Sequence, residues 1–280
     1  MYPPKFDYHR ANNIDEAFSL MSETGGKLLA GGHSLIPTLK LRLADPGTLI
    51  DIGRLSALNG ISNSGSSTRI GALTTHATVA ASDSLPTALT EAASWIGDPQ
   101  VRNRGTVGGN IAHADPASDL PTVFLALGAT IHVQGPNGGR AILADDFFID
   151  LFETDLKDDE LVTAIDVPMD GAGTAYAKLF NPASRYAIVG AAAKIGVSDN
   201  SISTARIAIG GLTPKAVRAT SVEQALQGQP ISDDSIAAAA AQISNDLKEV
   251  MGDIHASEEY RRSMASVYIQ RAISKAIERA

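Results

Sequence analysis

The spacing of apolar positions changes along this chain, and each change marks an element. Ile14, Ala17, Phe18 and Met21 recur at helical spacing behind Asn13, and Gly25-Gly26 follows, which predicts a capped helix over 14–22. Lys27-Leu28-Leu29-Ala30 predicts a strand running into Gly31-Gly32. Ser34 opens a second helix, with Pro37 early in it where a missing N–H costs little, and with Leu35, Ile36, Leu39 and Leu43 as its apolar face. Leu49-Ile50-Asp51-Ile52 reads as a strand. Beyond Leu55 the pattern predicts a strand over 68–72 and a helix over 85–96, ended by Gly97 and Pro99. A glycine-rich loop over 100–110, a helix from Pro121 to Leu127, and strands over 129–133 and 161–167 follow, with a turn at 135–139. From Gly171 the runs 188–197 and 202–209, joined by Ser198-Asp199-Asn200-Ser201, read as a hairpin. Helices over 222–226, 233–251 and 257–278 close the chain, and 168–173 is the expected domain junction.

Composition narrows the function. The 280 residues suffice for one large domain or two modest ones. A net charge of −8 disfavours a general nucleic-acid groove, which needs a basic surface. The chain has no cysteine, so it holds no disulfide, thiolate nucleophile or cysteine-ligated zinc or iron–sulfur cluster of its own. Redox chemistry here would use an organic cofactor or partner chains. No run of about 18 apolar residues predicts a membrane span, and the N-terminal residues lack a signal-peptide pattern, so a cytoplasmic protein is expected.

Two glycine turns carry the candidate chemistry. Ala30-Gly31-Gly32-His33-Ser34 joins a strand to a helix start, where unpaired N–H groups and a partial positive charge suit a phosphate. An ordinary strand–turn–helix connection explains that turn equally well. Thr106-Val107-Gly108-Gly109-Asn110 repeats the chemistry: a hydroxyl and an amide flank glycines that bring backbone amides close. Two such turns can grip the two phosphates of a dinucleotide, although no G-x-G-x-x-G is present. His113-Ala114-Asp115-Pro116-Ala117-Ser118-Asp119 reads as a helix-capping turn, with Asp119 free to reach a ribose or ribityl hydroxyl. His33 and His76 are isolated, and Trp95 reads as packing. Arg102 and Arg104 suit a phosphate, a partner carboxylate or a solvated loop, and 258–262 reads as a solvated helix start.

These motifs closely resemble the medium subunits of aerobic carbon monoxide dehydrogenases, in the molybdenum hydroxylase family. The resemblance is carried by Ala30-Gly31-Gly32-His33-Ser34-Leu35-Ile36-Pro37 with Leu39-Lys40-Leu41-Arg42, by 98–110 and by 113–121, and it continues in order to Ser257–Ala272. It implies an α+β protein. An FAD-binding domain of the vanillyl-alcohol-oxidase/PCMH type would span 1–170, with two α/β subdomains at about 1–54 and 55–170. A smaller α+β domain with an antiparallel sheet and helices would span 171–280. It implies that Leu28, Leu29, Ala30, Gly31, Gly32, His33, Ser34 and Leu35, with Thr106, Val107, Gly108, Gly109 and Asn110, wrap the pyrophosphate and ribityl chain of FAD. Asp119 and Ile96 match flavin-contact positions, Leu161 an apolar backbone contact near the flavin ring, and Lys178 and Tyr186 positions close to the isoalloxazine. The segment 181–185 departs from the family pattern beside those last two.

The resemblance further implies an electron-transfer subunit with no substrate acid or base and no metal of its own. A large partner would carry the molybdopterin cofactor and a small partner two [2Fe–2S] clusters, in a dimer of heterotrimers. The flavin would pass electrons to an external acceptor such as quinone, oxygen or NAD, in the cytoplasm or at the inner face of the membrane. A self-contained flavin oxidase is the alternative, and a non-enzymatic nucleotide-binding scaffold a third reading. Bleaching of the flavin by substrate in the isolated chain would mark the oxidase. Binding of a different nucleotide without FAD would mark the scaffold.

Overall fold

A computed structural model describes residues 2–280. Its first layer comprises β1 (Asp7–Arg10), α1 (Ile14–Thr24), β2 (Lys27–Leu29), α2 (Leu35–Lys40) and β3 (Thr48–Asp51). The three strands form a parallel sheet in the order β1-β3-β2. Asn13 caps α1 by accepting from the Glu16 N–H at 2.8 Å, and Gly25 ends it in the left-handed conformation. The expected apolar face of α2 is cut short. Arg42 turns left-handed at φ 58°, and the Leu43 N–H folds back on the Thr38 carbonyl at 3.0 Å. Leu43 therefore lies beyond the helix and is exposed, while Leu39 is buried.

The second layer runs through β4 (Ile61–Ser64), β5 (Ser67–Gly71), α3 (His76–Ala80), α4 (Thr87–Trp95), α5 (Pro99–Arg104), α6 (Val107–His113) and α7 (Asp119–Leu127). It continues through β6 (Thr130–Gly135), β7 (Gly138–Leu143), α8 (Ala144–Phe147), β8 (Phe148–Asp150), β9 (Glu153–Thr154) and β10 (Leu161–Pro168). Five of these strands make an antiparallel sheet in the order β4-β5-β10-β6-β7, and β8 and β9 form a separate ribbon. The expected loop over 100–110 is helical instead. Asp98 accepts from the Val101 N–H at 2.9 Å with Pro99 in the first turn, and Thr106 accepts from the Gly109 N–H at 3.3 Å. These caps and the packing of α6 outweigh the poor helix propensity of Gly108-Gly109.

The third layer comprises β11 (Gly173–Phe180), β12 (Ala187–Ser198), β13 (Ser201–Gly210), β14 (Val217–Arg218), α9 (Thr220–Leu226), α10 (Asp233–Ala240) and α11 (Glu258–Ile277). The four strands form an antiparallel sheet in chain order. Both faces are covered, which is why β12 reads Ala-Ile-Val-Gly-Ala-Ala-Ala without alternation. One face packs under α9–α11, and the other contributes Tyr176, Ala192 and Ala208 to the core around α7. Every residue of α7 is buried, as an all-round apolar helix between two sheets must be. The long helix expected over 233–251 breaks after Ala240 into a 3-10 turn, Ala241–Asn245, and the Met251 N–H then bonds the Leu212 carbonyl at 2.8 Å.

Arg261 is a further departure. It is buried, not solvated, and donates to the Ile188 carbonyl at 2.9 Å, to the Gly211 carbonyl and to Asp253. No helix among the described residues is long and apolar enough to cross a membrane.

The start of β11 sits directly on the end of α11. A methyl group on Gly173 would collide with the Ala276 carbonyl and approach the Ala280 nitrogen to 2.6 Å. Gly173→Ala should therefore destabilise the protein by about 1–3 kcal/mol, the range of overpacked sites. Urea unfolding would measure this, and an unchanged midpoint would show that the end of α11 yields freely.

Candidate functional site

The turn after β2 leaves a row of backbone donors free. Among the described residues the N–H groups of Gly31, Gly32, His33 and Ser34 have no protein partner, while the carbonyls of Gly32 and Ser34 already serve α2. Gly32 is left-handed, at φ 74°. Gly31 answers to a different constraint, the close approach of a second backbone. A Cβ there would strike the Arg104 carbonyl and come within 2.9 Å of the Gly105 Cα.

The second glycine segment is the start of α6, and its amides are engaged. The Val107 N–H donates to the Thr74 carbonyl at 3.0 Å and the Gly108 N–H to the Ala72 carbonyl at 2.8 Å. The expectation that these glycines present amides to a phosphate is corrected here. Gly108 is a packing glycine, since a Cβ would come within 2.9 Å of the Ala72 carbonyl oxygen. What this segment can offer is side chains. Asn110 accepts from the Ser118 hydroxyl at 2.8 Å, which leaves its amide nitrogen to donate, and the Thr106 hydroxyl keeps its proton.

The two segments share one cavity of about 670 Å³, within the roughly 300–1,000 Å³ usual for small-molecule sites. Of the residues expected at the site, Leu28, Leu29, Ala30, Gly31, Gly32, His33, Ser34 and Leu35 line it, with Thr106, Gly108, Gly109, Asn110 and Leu161. Val107 does not: its side chain is wholly in the core. A second group lies past Ser118, where the third layer meets α7. Lys178 donates to Asp119 at 2.8 Å and reaches the Trp95 carbonyl, beside Ile96, at 3.5 Å. Partial burial, and after it the charges of Asp115 and Asp119, raise the Tyr186 pKa. Leu161 lines the main cavity with the first group and shares an apolar core with Leu73 and Ile50.

Asp119 is not the free carboxylate expected from the sequence. It is buried, and its oxygens take Lys178 and the Tyr176 hydroxyl, the latter at 2.6 Å. Burial pushes the Asp119 pKa up, and the ammonium and the hydroxyl oppose that rise. Tyr176, unremarked in the sequence, fits because a Cβ on Gly190 would occupy the space of its hydroxyl. Phe152 was also missed. It lines the cavity with its ring against His113, at a centroid distance of 5.1 Å. The ribbon that carries it is too short for apolar spacing to mark it.

The remaining candidates separate. Arg102 donates to the Ile96 and Gly97 carbonyls at 3.0 and 3.3 Å, so it braces its own turn. Arg104 lines a smaller recess of about 230 Å³ on another side of the same junction, with Arg10, Asp51 and Arg54. Trp95 is 39% exposed, with its ring 5.6 Å from Phe180, so it is no core residue. His33 lines the main cavity, and its Nδ1 lies 3.2 Å from the Gly31 carbonyl. His76 is a buried strut behind the second segment, with its N–H donating to the Gly105 carbonyl at 3.0 Å.

Comparison with known proteins settles the family. Residues 4–170 match the family described as the FAD binding domain in molybdopterin dehydrogenase, and residues 174–276 match the CO dehydrogenase flavoprotein C-terminal domain. The chain belongs to the FAD-binding medium subunits of the molybdenum hydroxylases. It is accordingly an oxidoreductase subunit. It is 39% identical to the carbon monoxide dehydrogenase medium chain of Hydrogenophaga pseudoflava, over 99% of this chain and 98% of that one. It is also 39% identical to the glyceraldehyde dehydrogenase medium chain of Sulfolobus acidocaldarius, over 98% of this chain and 99% of that one. The structure of the Hydrogenophaga carbon monoxide dehydrogenase lacking the Mo-pyranopterin moiety of its cofactor superposes with a TM-score of 0.95, at 40% identity over all of both chains. The α+β expectation, with an FAD-binding domain and a C-terminal domain, agrees with this.

The strut makes one prediction. Burial, with a smaller contribution from the charge of His33, lowers the His76 pKa to about 4. Between that value and the ordinary pKa of about 6.5, the unfolded chain takes up a proton that the folded chain refuses. Stability conferred by His76 is therefore full above pH 6.5 and falls as pH drops toward 4, by about 1.4 kcal/mol for each unit of depression. Urea unfolding at pH 7 and pH 4.5 should show this loss in the wild type and a smaller one in His76→Gln. Equal losses would contradict the assignment.

Proposed function

We propose that this chain carries FAD for a molybdenum hydroxylase and relays its electrons. It would take them from the [2Fe–2S] clusters of a small partner subunit, after substrate is oxidised at the molybdenum cofactor of a large one. It would pass them to an external acceptor, within a cytoplasmic dimer of heterotrimers. Residues 1–170, with subdomains at about 1–54 and 55–170, would be the flavin domain, and 171–280 the smaller C-terminal domain.

One observation carries the reading: Gly31 to Ser34, whose four consecutive N–H groups are free, line one cavity together with Thr106 and Asn110. A diphosphate needs many donors, and a turn of free amides at a helix start supplies them. These residues fit the group. Flavin bound here supplies the electron transfer itself, and the chain's part is to hold and orient it. From the diphosphate one arm would run past Asn110 and Ser118 toward Ile96, Asp119, Lys178 and Tyr186, where the buried ion pair offers fixed polarity beside the ring. The other arm would follow Leu28, Leu29 and Leu161. Equal identity to carbon monoxide and glyceraldehyde relatives supports a substrate chosen on another subunit.

The test uses the complex of this chain with its partner subunits. Wild-type complex should contain one flavin per chain, and substrate should bleach its absorbance before acceptor is reduced. Gly31→Ala, which forces the two turns apart, should lower flavin content and acceptor turnover together, at least about tenfold. Full turnover in a complex without flavin absorbance would overturn the proposal.

A further inference from the structure

The ribbon of β8 and β9 has a buried base and an apolar, exposed tip. At its base Phe147 and Phe148 are buried edge to face, with centroids 5.2 Å apart, and the Asp155 N–H bonds the Phe147 carbonyl at 2.9 Å. Arg140 braces the strand that follows through Asp155 and Glu160. At the tip Ile149, Leu151 and Phe152 are 43%, 48% and 52% exposed. Water gains nothing from these side chains, and the anchored base needs none of them.

Phe152 is the one of the three that enters the cavity, and its backbone is left-handed at φ 55°. A side chain with a Cβ holds that conformation only when its surroundings fix it. Its ring meets the His113 imidazole at 5.1 Å and 42°. Burial lowers the His113 pKa, which keeps that ring neutral near pH 7. The two rings form a partly open aromatic wall with a free face, a shape suited to a flat heterocycle.

We infer that Phe152, backed by His113, is the stacking platform for the adenine of the bound dinucleotide. This rests on the FAD reading above. With the diphosphate at Gly31–Ser34 and the flavin ring directed to Lys178 and Tyr186, the opposite arm ends in the part of the cavity that Phe152 walls. The same cavity is lined by Leu28 and Leu161, which add apolar surface. Phe152 would be a binding residue with no share in electron transfer.

Flavin dissociation from the full chain tests this, read by recovery of free-flavin fluorescence, with ADP as competitor. Phe152→Ala and Phe152→Leu should weaken both FAD and ADP between about fivefold and a hundredfold, the range for loss of one base–aromatic stack. Phe152→Trp should hold both near the wild-type level, which also shows that the ribbon still folds when its tip is changed. Wild-type affinity in Phe152→Ala or in Phe152→Leu would overturn the inference. So would a loss of FAD affinity with ADP unaffected, because Phe152 would then touch another part of the cofactor. Wild-type protein that binds ADP but no FAD would instead refute the flavin reading.

Discussion

The contact between Gly31 and the Arg104–Gly105 backbone joins two layers that also share a small apolar core, in which Leu58, Leu73 and Leu161 of the second meet Ile50 and Phe18 of the first. One turn leaves the parallel sheet, and the other starts α6 beneath the antiparallel one. Neither forms a site alone. The first has free amides but little enclosure. The second has lost its amides to Ala72 and Thr74, and in exchange is fixed against the turn between β5 and α3. Bringing them together at backbone contact needs a residue without a side chain, because any Cβ would have to displace a carbonyl. The resulting cleft is asymmetric, with main-chain donors on one wall and side-chain donors on the other. A rigid donor array suits a charged ligand, since its amides need no reorganisation on binding.

A second interaction ties the third layer to this frame. Lys178 and Asp119 are buried together, and burial of two charges is offset only when each finds good partners. Asp119 has the Tyr176 hydroxyl in addition, and Lys178 has the Trp95 carbonyl. Such a network contributes little net stability, but it fixes α7 against β11 in one register. The Trp95 ring lies 5.6 Å from Phe180 of β11 at the same junction. The positions proposed for a flavin ring would thus be defined by polar contacts between layers, and those proposed for the diphosphate by backbone approach within two turns.

Much of this was legible in the sequence, for reasons that can be named. The capped helix α1, the β12–β13 hairpin and the strands around the turns follow from local period and punctuation. The first glycine turn was readable because strand, glycines and helix start are adjacent in the chain. The second misled because Gly108 and Gly109 argue against helix, whereas the Thr106 cap and Ala72 packed against Gly108 favour α6. Asp119 looked free to reach a ligand hydroxyl because its partners, Tyr176 and Lys178, are distant in sequence. Arg261 and Leu43 were misplaced for the same kind of reason. A buried arginine requires carbonyls from two strands, and a helix stop at Arg42 leaves no mark in apolar spacing. Phe152 was invisible because a short exposed ribbon has no period.

The central claim is where the diphosphate lies. A crystal structure of the chain loaded with FAD measures this directly. The account predicts phosphate oxygens within about 3 Å of the N–H groups between Gly31 and Ser34, with the Thr106 and Asn110 side chains on the opposite wall. A diphosphate seated instead in the recess of Arg54 and Arg104, or against Lys178, would contradict it.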